Sequence, residues 1–231
     1  MQPHQYWQTL APPLSHDISE GATFREAYPA VLPDGRQLLL PIRVLPGDGR
    51  SAVASLIVNQ ASFEVEDALS EAMSDIARRL DPDIIVGVPT LGLPLANGVA
   101  RRLGHTRMVA LGTSRKFWYE EQLSRPMRSI TSPGQEKRLY IDPRMLPVLE
   151  GRRVVVVDDV VSTGTSIAAV LALLAAARAD VVGVVAAMLQ SRRFEEMLTR
   201  ADLAIVPPVE GAISSPLLRS TPEGWVRDAA G

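Results

Sequence analysis

Apolar positions along the chain fall into two kinds of run. Short blocks of β-branched residues, at 84–88 and 154–157, predict strands buried on both faces, as inside a parallel sheet. Elsewhere the apolar residues recur at helical spacing. Phe63, Val65, Leu69, Ala72, Met73, Ile76, Ala77 and Leu80 predict one helix ending near Asp81-Pro82. Residues 93–103 and 167–177 predict two more, and 194–198 a shorter one. Residues 108–111, 139–141, 181–188 and 203–206 read as further strands, the last closing the sheet. Strand and helix therefore alternate from Ile84 onward. The expectation is an α/β fold, a parallel sheet with helices on both faces.

The ends of the chain are patterned differently. Residues 1–21 are polar, proline-bearing and unpatterned, and predict an extended arm or docking segment. Residues 22–58 turn β-like, with Asp34-Gly35 between two candidate strands and Gly47-Asp48-Gly49 at a second turn. Residues 211–231, rich in Ser, Pro and Gly, predict a mobile tail or a cover over a site. A length of 231 residues suits one large domain or a domain with an appendage. The division expected is an arm and β-rich hood at 1–60, a core at 61–210 and a tail at 211–231.

The run from Val154 to Ser166 holds the clearest chemistry. Asp158 and Asp159 follow four valines, at the strand end where open α/β sheets place ligands. Ser162, Thr163, Gly164, Thr165 and Ser166 then open an apolar helix. Backbone N–H groups at a helix N-terminus, backed by hydroxyls, make an anion site. Small polar residues there also serve as ordinary caps and turns. Two successive acids beside a buried strand are different, because they repel and resist desolvation. A ligand's hydroxyls or a metal would compensate. Acids for sugar hydroxyls and a cradle for a phosphate, a few residues apart, suit a ribose 5-phosphate. A phosphoacceptor receiver domain also has acids at a strand end, but does not explain the hydroxyl-rich loop.

Composition narrows the chemistry. Hydrophobic residues make up 46% and charged residues 22%, ordinary for a globular enzyme with a sizeable core. A net charge of −2 gives no global field to attract nucleic acid or acidic membranes. The chain has no cysteine, which excludes disulfides, thiolate nucleophiles and Cys-based zinc sites. His4, His16 and His105 show no paired spacing with carboxylates, so neither a metal triad nor a Ser/His/Asp site is supported. The first residues lack a basic region followed by an apolar one, and the apolar stretches are broken before membrane-spanning length. A cytoplasmic location is therefore expected.

A second loop, Gly87-Val88-Pro89-Thr90-Leu91-Gly92, leaves a buried strand and enters a helix, so its amides can also meet an anion. Neither a Walker A lysine nor a dinucleotide glycine fingerprint is present.

The segment 154–166 resembles the signature of the type I phosphoribosyltransferases, which bind 5-phosphoribosyl 1-pyrophosphate (PRPP). It departs only at Thr165, where many members have a second glycine. The resemblance implies a type I phosphoribosyltransferase-like parallel sheet flanked by helices, with a small N-terminal β-rich hood. It assigns Asp158 and Asp159 to the ribose 2- and 3-hydroxyls, and Ser162, Thr163, Gly164, Thr165 and Ser166 to the 5-phosphate. Pro89, Thr90, Leu91 and Gly92 take the pyrophosphate. Residues 112–138 hold Arg115, Lys116, Arg125, Arg128, Lys137 and Arg138 where the family has a flexible lid. Arg115-Lys116 resembles the pair that opens the lid of adenine phosphoribosyltransferases, so these two are the expected lid cations. The family's following Pro-Gly-Lys is replaced by Phe117-Trp118-Tyr119.

The implied reaction is transfer of the 5-phosphoribosyl group to a base nitrogen, with a purine favoured and nucleotide salvage as the setting. Mg²⁺ is the implied cofactor, held mainly by PRPP with few direct protein ligands, and a homodimer is the implied assembly. Two other readings share the motif. A PRPP synthetase would need an ATP site and normally two similar halves in a longer chain. A non-catalytic PRPP-sensing regulator would need a nucleic-acid-binding element, and the N-terminal region shows no helix-turn-helix or basic stripe.

Overall fold

The valines of the motif lie at the centre of a five-stranded sheet. The structure is a computed structural model that describes residues 1–47, 49–127 and 137–228, with the side chain of Lys137 outside the description. In chain order the sheet's strands are β4 (Ile84–Gly87), β5 (Val109–Ala110), β8 (Arg153–Val161), β9 (Asp180–Gln190) and β10 (Val209–Ser215). They run in the spatial order β10-β9-β8-β4-β5, and every pairing is parallel. Val154, Val155, Val156 and Val157 are fully buried, because helices cover both faces of β8.

Helices α1 (Phe63–Arg79) and α2 (Gly92–Arg102) pack on one face, α3 (Thr165–Ala176) and α4 (Arg193–Arg200) on the other. The side chain of Ser62 caps α1 by accepting from Val65 N at 3.3 Å. Acidic residues stand in its first turn and arginines in its last, matching the helix dipole. Its stripe of Val65, Leu69, Met73 and Ala77 is fully buried against the sheet. No helix among the described residues is long and apolar enough to cross a membrane.

The hood is a second, antiparallel sheet. Its strands are β1 (Ala27–Val31), β2 (Gln37–Val44), β3 (Ser51–Ala54), β11 (Leu217–Thr221) and β12 (Gly224–Arg227), in that spatial order. The N-terminal arm is docked: Tyr6 and Trp7 are buried, and Trp7 Nε1 donates to the Ser55 carbonyl at 2.9 Å. Gln190, at the end of β9, donates through Nε2 to the Ala54 carbonyl at 2.8 Å and ties the two sheets together.

Three expectations need correction. Residues 203–206 form no strand, and β10 closes the sheet instead. Pro207-Pro208 follows the apolar stretch, and prolines cannot donate to a ladder. Ile205 is accordingly 78% exposed. Residues 211–228 are not a mobile tail, since their strands complete both sheets. Residues 139–141 do not join the main sheet. Their strand β7 (Lys137–Tyr140) pairs antiparallel with β6 (Ser124–Met127), so part of the segment expected to be irregular is a two-stranded antiparallel sheet.

Candidate active site

The loops after β4 and β8 leave the same edge of the sheet, because the two strands are parallel neighbours. Strand β8 is longer than its valines suggest and runs through both acids to Val161. Asp158 is buried and Asp159 half-buried. Asp159 N donates to Asp158 Oδ1 at 2.9 Å. Burial raises Asp158 well above the usual carboxylate range, and the neighbouring charge of Asp159 adds to it. Burial also raises Asp159. No cation is among the groups acting on either acid among the described residues. The pair therefore lacks a built-in counter-charge, the condition a polyhydroxyl ligand or a metal would relieve.

The loop of Pro89, Thr90, Leu91 and Gly92 lies directly against this pair. Val88 N donates to the Val157 carbonyl at 2.9 Å. A Cβ on Gly92 would stand 2.9 Å from Asp158 Cα and 3.0 Å from its Oδ1, so the close approach requires glycine. The Pro89–Thr90 peptide is cis. Helix α2 begins here with no side-chain cap, and in its first turn Leu93 N donates to the Thr90 carbonyl at 3.4 Å while Pro94 carries no amide hydrogen.

The second loop is built the same way. Gly164 has φ +84°, and a Cβ there would meet Phe194 Cα and Cβ at 3.0 Å. Glycine is thus demanded twice, by the left-handed backbone and by the contact with α4. Helix α3 also begins with no side-chain cap. Thr163 Oγ1 and Thr165 Oγ1 lie 3.3 Å apart, while Ser162 and Ser166 are half-buried beside them. Two helix N-termini and two acids meet at one edge of the sheet.

Arg115 and Lys116 stand apart from this cluster. Both are exposed, and Arg115 Nη1 lies 3.6 Å from Glu121 Oε2. Neither bonds to the acids or to either loop among the described residues. Arg138 also pairs with Glu121, and Arg125 Nη1 donates to the Ser124 carbonyl. Arg128 and the side chain of Lys137 lie outside the described residues.

The aromatic trio has a partner that the sequence does not reveal. Trp118 Nε1 donates to Asp142 Oδ2 at 3.4 Å, and the Arg144 guanidinium sits 4.9 Å from the Trp118 ring centroid. Tyr119 lies 5.7 Å from Tyr140, ring to ring. Hydrogen bonds from Arg144 hold Asp142 down to about 2. Tyr140 and Asp142, to which the sequence assigns no role, thus hold residues 118–119 in place.

Arg193, which the sequence does not single out, reaches the loop after β8. Its Nη2 donates to Ser162 Oγ at 3.3 Å and its Nε to Ser191 Oγ at 3.2 Å. The available signal is its position, three residues past the end of a buried strand that belongs to the same sheet edge. No cluster of three or more His, Asp or Glu exists among the described residues, and at this sheet edge the acid pair is what could meet a metal.

A family model described as "Phosphoribosyl transferase domain" matches residues 58–205. The chain belongs to the phosphoribosyltransferase family. Its matched span holds both acids, both loops, Arg115, Lys116 and Arg193. An adenine phosphoribosyltransferase of Frankia casuarinae is 34% identical over 143 residues, 62% of this chain and 71% of that one. An orotate phosphoribosyltransferase of Halorhodospira halophila is 29% identical over 143 residues, 62% of this chain and 57% of that one. The fold is that of the Giardia lamblia APRTase solved with 9-deazaadenine. That structure aligns at a TM-score of 0.59 and 16% identity, over 76% of this chain and 93% of the other. The activity class is therefore phosphoribosyl transfer. All five hood strands fall outside the family match.

Proposed function

We propose that this phosphoribosyltransferase moves the 5-phosphoribosyl group of PRPP onto a ring nitrogen of a purine. The C1–O bond to pyrophosphate breaks, a C1–N bond forms, and the base nitrogen gives up its proton. The observation that carries this reading is the contact of Gly92 with Asp158, which puts a pyrophosphate-type loop beside an acid pair and a phosphate-type loop.

In this reading Ser162, Thr163, Gly164, Thr165 and Ser166 fix the 5-phosphate through amides and hydroxyls, which is catalysis by positioning. Asp158 and Asp159 accept hydrogen bonds from the ribose diol and place negative charge near a carbon that develops oxocarbenium character. Pro89, Thr90, Leu91 and Gly92 receive the pyrophosphate, and Arg115 and Lys116 approach it when the lid closes. The acid pair suits Mg²⁺ as a hard-oxygen partner, with the remaining ligands from PRPP and water. Neutralisation of the pyrophosphate charge is what that ion supplies when bound.

The base is assigned to the space between the hood and the sheet edge. A purine is favoured because Arg115-Lys116 resembles the adenine enzymes, and because the adenine-named relative is the more similar of the two above. A second reading, PRPP binding without transfer, draws on the docked aromatic trio, which stands where the adenine enzymes carry a further lid lysine. The experiment is pyrophosphate release from Mg-PRPP with adenine, guanine, hypoxanthine, orotate and uracil. Turnover with a purine is the expected result. PRPP binding with no turnover on any base would establish the second reading.

A further inference from the structure

We infer that Arg193 binds the 5-phosphate of the substrate, as the one side-chain cation of that subsite among the described residues. The inference rests on the PRPP reading above and extends it to a residue outside the signature.

Three observations support it. First, the arginine is aimed at the loop. Its Nη2 reaches Ser162 Oγ at 3.3 Å across 31 residues of sequence. Second, its place is fixed from both sides. Ser191, 7% exposed, accepts from Arg193 Nε, and Phe194, 5% exposed, has its backbone against Gly164 of the phosphate loop. The first turn of α4 is therefore packed directly on the loop.

Third, its partners differ from those of its neighbours. Arg192 pairs with Glu195 at 2.6 Å and Arg200 with Glu196 at 2.5 Å. Arg193 bonds only hydroxyls among the described residues, so no carboxylate neutralises it. A guanidinium offers five N–H donors in a planar fork. Two are spent on serines, and the others can meet phosphate oxygens, with which arginine forms short, charge-assisted bonds. The loop otherwise offers only neutral amides and hydroxyls to a dianion. A structural arginine would serve equally well with a carboxylate partner, and this one has none.

The test is calorimetric titration of the full chain and its R193Q and R193K variants with ribose 5-phosphate and, separately, with inorganic pyrophosphate. In R193Q the Kd for ribose 5-phosphate should rise about tenfold, the loss of one charge-assisted hydrogen bond, while pyrophosphate binding stays unchanged. R193K should recover part of the loss. Unchanged ribose 5-phosphate affinity in R193Q overturns the inference alone. Equal weakening of both anions also overturns it, because the arginine would then only hold the fold of the site. If the wild-type chain binds neither ribose 5-phosphate nor PRPP, the reading beneath the inference fails instead.

Discussion

Gly92 and Asp158 touch so closely that no side chain fits between them: a Cβ on the glycine would lie 2.9 Å from the aspartate's Cα. The obstructing atom is backbone, so neither partner can swing aside. Gly92→Ala should push the loop of residues 89–92 away from the acid pair. A misplacement of this kind is expected to cost about 10²-fold in kcat/KM for PRPP. Overpacking should also lower stability by about 1–3 kcal/mol. Steady-state kinetics and a denaturant titration on the same variant measure both. Wild-type kinetics would show that the two loops do not share a substrate.

Asp158→Asn together with Asp159→Asn should abolish turnover while the protein stays folded. Asparagine keeps the shape and a hydrogen-bonding capacity but removes the negative charge beside the reacting carbon. Circular dichroism checks the fold, and pyrophosphate release checks the chemistry. Wild-type rates in the double variant would remove the acids from the mechanism.

How far these residues could be read from sequence depends on the distance over which each is specified. The valines of β8, the acids and both glycine loops are local patterns, and each sits where its strand–loop–helix context implies. The closing strand was harder to read. The stretch 203–206 is more apolar than 209–215, but Pro207-Pro208 shifts pairing to the serine-bearing segment beyond it. Strand β11 carries one fully buried leucine, Leu218, and gains its place from β3, far back in the chain. Arg193 has only its place just past the end of β9 as a local signal, since its partner Ser162 stands on another strand's loop. The docking of Trp118 on Asp142 and Arg144 is hidden for the same reason.

Arg115 and Lys116 lie exposed and away from the acids, so their contribution should arise on closure. Replacing both with alanine should lower kcat about 10²–10³-fold, the scale for removing charge-stabilising donors. Ribose 5-phosphate affinity should stay constant, because that end of the site is built from other residues. Kinetics combined with calorimetry separate the two effects. An unchanged kcat would assign the lid's work to other groups.

Gln190 joins the core to the hood through one buried hydrogen bond to the Ala54 carbonyl. Gln190→Met keeps most of the volume but leaves that carbonyl without its donor. The expected cost is about 1–3 kcal/mol, the desolvation penalty of an unsatisfied buried acceptor. If the hood seats the base, KM for the base should rise more than KM for PRPP. A loss confined to stability would place the base elsewhere.

Burial of the acid pair also sets a pH dependence of stability. Asp158 and Asp159 titrate at higher pH in the folded chain than in the unfolded one, so the folded state holds more protons between those two values. Stability then falls as pH rises through that window, the reverse of the behaviour of a salt-bridged aspartate. The favourable contribution is fully present below the unfolded carboxylate value of about 3.9 and is lost once the raised folded values are passed. The melting temperature of the ligand-free protein should therefore show a decline with rising pH that Asp158→Asn flattens. At neutral pH the variant should melt higher than the wild type, because it no longer confines a charge without a counter-charge. PRPP with Mg²⁺ should reverse that order, raising the wild type and leaving the variant nearly unmoved. Thermal melts at a series of pH values, with and without Mg-PRPP, give the comparison. A wild type more stable than the variant at neutral pH in the ligand-free state would mean that the protein itself compensates the acids.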